Sequence, residues 1–260
     1  MDEANEIIAY LPISYKTRGE QEYIAFLWDA FQSNYENKKY QFAFLAYHML
    51  TMSFVYFNIW QIKQTNPKDF AMGLIGFGKD VEKNLLEATS PFVFSTVNER
   101  SILRLLKLIQ CDNGKIGTYA KLVDDRNETA HTNGNIFFST QAALDGKITE
   151  ILRVVDEIQT HSKPVIEHCY REFLLQSHGA EEREYQDHAD QIREVLIHRN
   201  YLSQKDIEIC CMHDIEPLRG EQGFADIVSL HQSFRALYPD SLTQAVSGGM
   251  SYAGAACKLE

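Results

Sequence analysis

The chain has no basic excess. Its 260 residues carry 25 Lys+Arg against 36 Asp+Glu, a formal net charge of -11. Coating duplex nucleic acid requires net positive faces that neutralise phosphates, so that class is excluded, whereas a local basic patch is not. A C-x-x-C pair is also missing. The five cysteines (Cys111, Cys169, Cys210, Cys211 and Cys257) are odd in number and wrongly spaced for one. The expectation is a reduced, cytoplasmic protein with free thiols and neither cofactor nor metal. A secretory leader is not expected, because Met1-Asp2-Glu3 is acidic where a signal peptide is positive. There is no glycine-rich phosphate loop: Gly73-x-x-Gly76-x-Gly78 lacks both a strand before it and a Lys-Ser/Thr after it. No internal repeat is visible. Strand-period alternation is almost absent, with Ile136-Phe137-Phe138 the one candidate.

What remains is helical period in an ordinary globular composition, 45% hydrophobic and 12% aromatic. Residues 19–35 place Tyr23, Phe26, Leu27, Ala30 and Phe31 on one apolar stripe. Residues 42–60 contain no Asp, Glu, Lys or Arg, long enough for a membrane span. Three features favour a central core helix instead, and no membrane contact is expected. Gln41, His48, Thr51 and Asn58 form a polar stripe, lysines flank both ends, and seven of the nineteen residues are aromatic. A third helix is expected from Asn66-Pro67 towards Glu87, although Gly73, Gly76 and Gly78 disfavour its interior. Further helices are expected over 97–110, over 119–132 and from 146 to 175, with Pro164 kinking or restarting the last. Residues 179–197 also read as helical, but heavily charged. The segment 180–226 holds 12 acidic and 5 basic residues. The fold expected is all-α: an N-terminal segment (1–18), a helical bundle (19–176), a smaller acidic helical appendage (177–245), and a flexible tail (246–260). The end of that tail, Cys257-Lys258-Leu259-Glu260, resembles a tag remnant.

One stretch carries chemistry: Arg126-Asn127-Glu128-Thr129-Ala130-His131. A guanidinium binds phosphate as a bidentate fork, and an imidazole moves protons near neutrality. Asn127 and His131 are i, i+4 neighbours on a helix, whereas Arg126 lies about 140° round from His131 at 100° per residue. Convergence of those two would need the long arginine side chain or a local break at Asp124-Asp125. Looser Arg…His spacings recur at Arg171…His178, Arg183…His188 and Arg193…His198, each with Glu after Arg; the form with Asn occurs once. Arg100, Arg104 and Lys107 at i, i+4, i+7 would form a basic stripe able to track phosphates into the site.

With its R-N-x-x-x-H motif in an all-α context, the sequence resembles the HEPN superfamily of helical ribonucleases and nucleotide-binding proteins. The resemblance covers residues 19–176 and not the appendage. It implies metal-independent RNA cleavage in which the 2′-OH attacks phosphorus, leaving a 2′,3′-cyclic phosphate and a 5′-OH. Arg126 would stabilise the pentacoordinate charge, His131 would act as acid or base, and Asn127 would orient the pair. It also implies a homodimer with a composite site, a role as a toxin or defence effector, and an antitoxin or other regulatory protein as partner. Two alternatives stay open. One is a HEPN-like module that binds nucleotide or protein without cutting. The other is a metal phosphohydrolase of HD type built on His213-Asp214 with His198 and Asp226 or Asp240. Glu128-x-x-His131 is also half of a di-iron motif, without the second copy such sites need.

Overall fold

The computed structural model describes residues 2–131 and 134–244, which are all-α with no strand among them. The expected tail over 246–260 lies outside the described residues. The chain forms two compact units: one comprises the segment up to Leu11 together with Tyr15–Ser162, the other Pro12–Ser14 together with Lys163 onward.

The first unit is organised by an αα-hairpin. Helix α1 (Arg18–Glu36) starts where Thr17 accepts the Glu20 N–H and Glu20 accepts the Thr17 N–H, a reciprocal capping box. The chain reverses at Asn37-Lys38-Lys39, with Lys38 in the left-handed region (φ 57°). It then enters α2 (Tyr40–Thr65). By length and composition α2 could cross a membrane, but 83% of its most apolar window is buried inside the protein. Phe44, Tyr47, Leu50, Phe54 and Ile59 of α2 are wholly buried. The Phe31 ring of α1 lies 5.0 Å from that of Tyr47. Each such burial contributes on the order of 1.5–3 kcal/mol. The polar stripe of α2 faces partners rather than lipid. Gln41 donates to the Thr129 carbonyl and accepts the Phe137 N–H, Thr51 donates to the Tyr47 carbonyl, and Asn58 accepts from Ser162.

The glycines divide the expected third helix into α3 (Pro67–Gly73) and α4 (Lys79–Leu86), with Gly76 between them at φ 109°. The expected helix over 97–110 changes winding. Helix α5 (Glu99–Leu103) tightens into a 3₁₀ segment over Arg104–Ile109, and Gln110 at φ 64° ends it. Asp112 caps the next helix by accepting the Lys115 N–H. Helix α6 (Asn113–Ala130) therefore starts six residues earlier than expected. Residues 136–138 form no strand; Phe138 instead packs on Phe44, ring to ring at 4.5 Å. Helix α7 (Gln141–Ser177) contains Pro164 without ending there.

The two units divide within α7, after Ser162, not near 176. Apolar burial explains the difference. Ile166, Tyr170, Phe173 and Leu174 belong to the core of the second unit. They join Leu196, Ile207, Leu230 and Phe234 there. That unit holds α8 (His188–Gln191), a π-wound segment Ile192–His198, α9 (Gln204–Cys211) and α10 (Phe224–Leu237). The expected helix over 179–197 begins only at His188, where Asp187 caps it through the Ala189 and Asp190 N–H groups.

Candidate functional site

Arg126 points from α6 into a cavity of about 650 Å³ in the first unit. Four other elements build its walls. From the start of α1 come Thr17, Glu20 and Tyr23. From α2 come Met49, Met52, Ser53 and Tyr56, whose spacing puts them on one face. From the 3₁₀ turn Pro91–Thr96 and its flanks come Ser90, Phe92 and Ser95, followed by Val97 and Glu99.

The cation in this wall is already paired. Arg126 Nη2 donates to Glu99 Oε1 at 2.6 Å, and the Arg126 side chain is 33% exposed against 17% for Glu99. Glu99 Oε2 receives a second hydrogen bond from His48 Nε2 at 3.1 Å. His48 is buried in α2, and its Nδ1 has no hydrogen-bond partner among the described residues. Burial alone pushes the Glu99 carboxyl up. The hydrogen bonds and charges of His48 and Arg126 outweigh burial and hold it below the ordinary glutamate value. The result is a His48–Glu99–Arg126 chain running from the core of α2 to the cavity. One guanidinium nitrogen is committed to it and the other donors of Arg126 remain.

His131 is placed differently. It caps α6, its N–H donates to the Asn127 carbonyl at 3.1 Å, and it is exposed. It is not among the residues lining the cavity. Asn127 is half-buried. No local break occurs at Asp124-Asp125, because each carboxylate is neutralised on an intact helix: Asp124 pairs with Arg100, and Asp125 with Lys147 at 2.9 Å. Within one chain, then, the motif divides between a cavity-facing arginine and a histidine at the helix end.

The basic stripe is also divided. Arg100 is engaged by Asp124. The 3₁₀ winding eclipses residues three apart, which aligns Arg104 with Lys107. Those two line a separate cavity of about 250 Å³ with Gly73, Ile75, Gly76 and Phe77.

The HD-type alternative finds no assembled ligand set. His198 Nδ1 hydrogen-bonds Ser14 Oγ at 2.7 Å, and the His213 ring meets Tyr170 edge-on at 5.6 Å. No group of three His, Cys, Asp or Glu able to hold a metal stands among the described residues. Nor do Cys111, Cys210 and Cys211 offer a thiolate. Burial pushes Cys111 and Cys210 up and Cys211 to about 11.

Glu99, Tyr56 and the cavity were not singled out by the sequence. The one signal was His48, a polar residue amid an apolar helix, and nothing in the chain says that its partner lies fifty-one residues away. Compared with protein-family models, curated proteins and solved structures, the chain matches none at a significant level.

Proposed function

We propose that this chain is a HEPN-like, metal-independent endoribonuclease that acts in the cytoplasm as a homodimer. The observation that carries the reading is the placement of the six-residue motif on the last turns of α6. Arg126 opens onto a cavity with donors to spare, and His131 stands exposed at the helix end. Since one chain directs these groups to different places, a complete site calls for His131 from a second copy. In that site the imidazole of His131 from the second copy removes the 2′-OH proton and the 2′-oxygen attacks phosphorus. The P–O5′ bond breaks, and the leaving oxygen takes its proton from water. Arg126 stabilises the extra negative charge on the phosphorane. An antitoxin-type or other regulatory protein would hold such an enzyme silent in its own cell.

The test is total RNA incubated in excess EDTA with wild type, Arg126→Ala and His131→Ala, alongside the solution mass. Cleavage that survives EDTA and is lost in both variants, from a dimer, is the expected result. Cleavage that EDTA abolishes, or that His131→Ala retains, refutes the reading.

A second reading is a module that binds nucleotide or a partner protein without cutting. It is favoured by the Glu99–Arg126 pair, which already neutralises the cation, and by the absence of His131 from the cavity wall. Folded dimers with no cleavage would select it.

A further inference from the structure

We propose that the cleft between α3 and the 3₁₀ segment Arg104–Ile109 docks an acidic peptide of a partner protein. Arg104 and Lys107 would take a carboxylate, and Ile75, Leu105 and Leu108 a neighbouring aliphatic side chain. The surface is separate from the Arg126 cavity, and the inference holds whether or not the chain cuts RNA.

Two glycines shape the cleft. At Gly73, the last residue of α3, an added Cβ would stand 3.1 Å from Leu108 Cδ1, so the two elements pack closely there. Beyond it the chain turns away. Ile75 and Phe77 donate their N–H groups to the Met72 and Leu74 carbonyls, and a Cβ on Gly76 would meet nothing within 4 Å. The turn leaves Met72 66% and Ile75 70% exposed, as apolar surface beside an opening lined by Leu105 and Leu108.

The charged groups of the opposite wall are both cations. The 3₁₀ winding sets Arg104 and Lys107 on one side, roughly 6 Å apart along the axis, with the Ser101 hydroxyl one turn before them. Neither cation has an ion pair among the described residues, whereas Arg100 is taken by Asp124. No Asp or Glu lines the cleft, in a chain with 36 acidic residues to 25 basic. A carboxylate can accept from both side chains at once. Size then decides what carries it. About 250 Å³ lies below the roughly 300–1,000 Å³ that whole small molecules fill, so the cleft admits one side chain, the scale of an interface anchor. Single-stranded nucleic acid calls for successive aromatic platforms and a continuous basic track. One ring, Phe77, and two cations on a chain of net charge -11 supply neither. An acidic residue with an aliphatic neighbour uses both walls.

A phage-displayed library of random dodecapeptides, panned on the whole chain, supplies the probes, and fluorescence anisotropy of the enriched peptides measures affinity. Enriched sequences are expected to place Asp or Glu beside, or one helical turn from, Leu, Ile, Val or Met. The double variant Arg104→Gln, Lys107→Gln should weaken their binding by roughly 10-fold or more, and Ile75→Ser by about 5-fold. Arg100→Gln, whose guanidinium is already paired, should change it by less than about 2-fold. All four side chains are exposed, so the variants should keep native circular dichroism. Enrichment of no peptide, enriched peptides without an acidic residue, or affinities unchanged in the double variant overturn the proposal. So does a random-sequence single-stranded RNA whose binding is lost in the double variant but kept in Ile75→Ser, which assigns the cleft to nucleic acid. Neither arm measures cleavage, so failure here leaves the RNA assay untouched, and failure there leaves this test untouched.

Discussion

Glu99→Gln removes one charge and almost no volume from the chain that links the core to the cavity. The amide oxygen of the substituted side chain still accepts from Arg126, replacing a charge-assisted contact of 2.6 Å with a neutral one. The new amide nitrogen would face His48 Nε2, now 3.1 Å from a carboxylate oxygen. His48 then has to accept there and carry its proton on Nδ1, which is buried with no partner among the described residues. An unpaired buried donor costs about 1–3 kcal/mol, and the two weakened charged hydrogen bonds are of similar size. Water reaches Arg126, whose side chain is one-third exposed, and recovers part of that loss. The net deficit expected at pH 7 is about 2–3 kcal/mol, which lowers the melting temperature of the first unit by roughly 4–10 °C. The pH dependence identifies the cause. The folded Glu99 carboxyl is depressed below its ordinary value of 4.5, so its stabilisation is complete above that value. It fades as pH falls through the lower folded value, where wild type itself becomes protonated. Urea unfolding followed by circular dichroism at pH 7 and pH 3 should therefore show a deficit that shrinks in acid. An equal deficit at both pH values, or one below about 0.5 kcal/mol at pH 7, refutes the assignment of Glu99 as the buried link between His48 and Arg126.

Thr17→Ala breaks the capping box of α1 and should cost about 1 kcal/mol in chemical denaturation, with Thr17→Ser recovering most of it. Phe31→Ala empties the centre of the α1–α2 hairpin, where Phe31 is wholly buried. A loss of about 3–5 kcal/mol is expected by the same measurement. In the second unit, the Tyr170 hydroxyl and His231 Nδ1 share a hydrogen bond of 2.8 Å. Burial, helped by Arg235 and His213, pushes that imidazole down to about 4 from 6.5. The unfolded chain therefore takes up the proton first. Stability is intact above pH 6.5 and falls as pH drops towards 4, by at most about 3 kcal/mol. A denaturation series over this range should be flatter for His231→Gln, and an identical slope would refute the buried neutral state.

The order of helices was written in the sequence because it depends on local rules. The apolar stripe over 19–35 announced α1, but the Thr17–Glu20 capping box that starts it was not singled out, and the three glycines were expected to weaken one helix rather than to divide it into α3 and α4. The charge-free run of α2 fixed a helix in contact on most sides, since such a helix finds no face that prefers water. Local rules mislead where one residue has two uses or where winding changes without a breaker. Asp112 follows the end of one segment, which Gln110 closes, and caps the next. Residues 104–109 tighten into 3₁₀ geometry with nothing in their composition to announce it, and the basic stripe divides with them. The unit boundary fell inside α7 because Ile166, Tyr170 and Phe173 read as helix in either unit, and only the cores they enter separate the two. The R-N-x-x-x-H motif was legible as a string of residue types, but its geometry was not. Helical period separates Arg126 from His131 around α6, and the partners that decide what each does, Glu99, His48 and Tyr56, come from helices distant in sequence. Charge pairing and burial act through space, so they become fixed only when those helices pack.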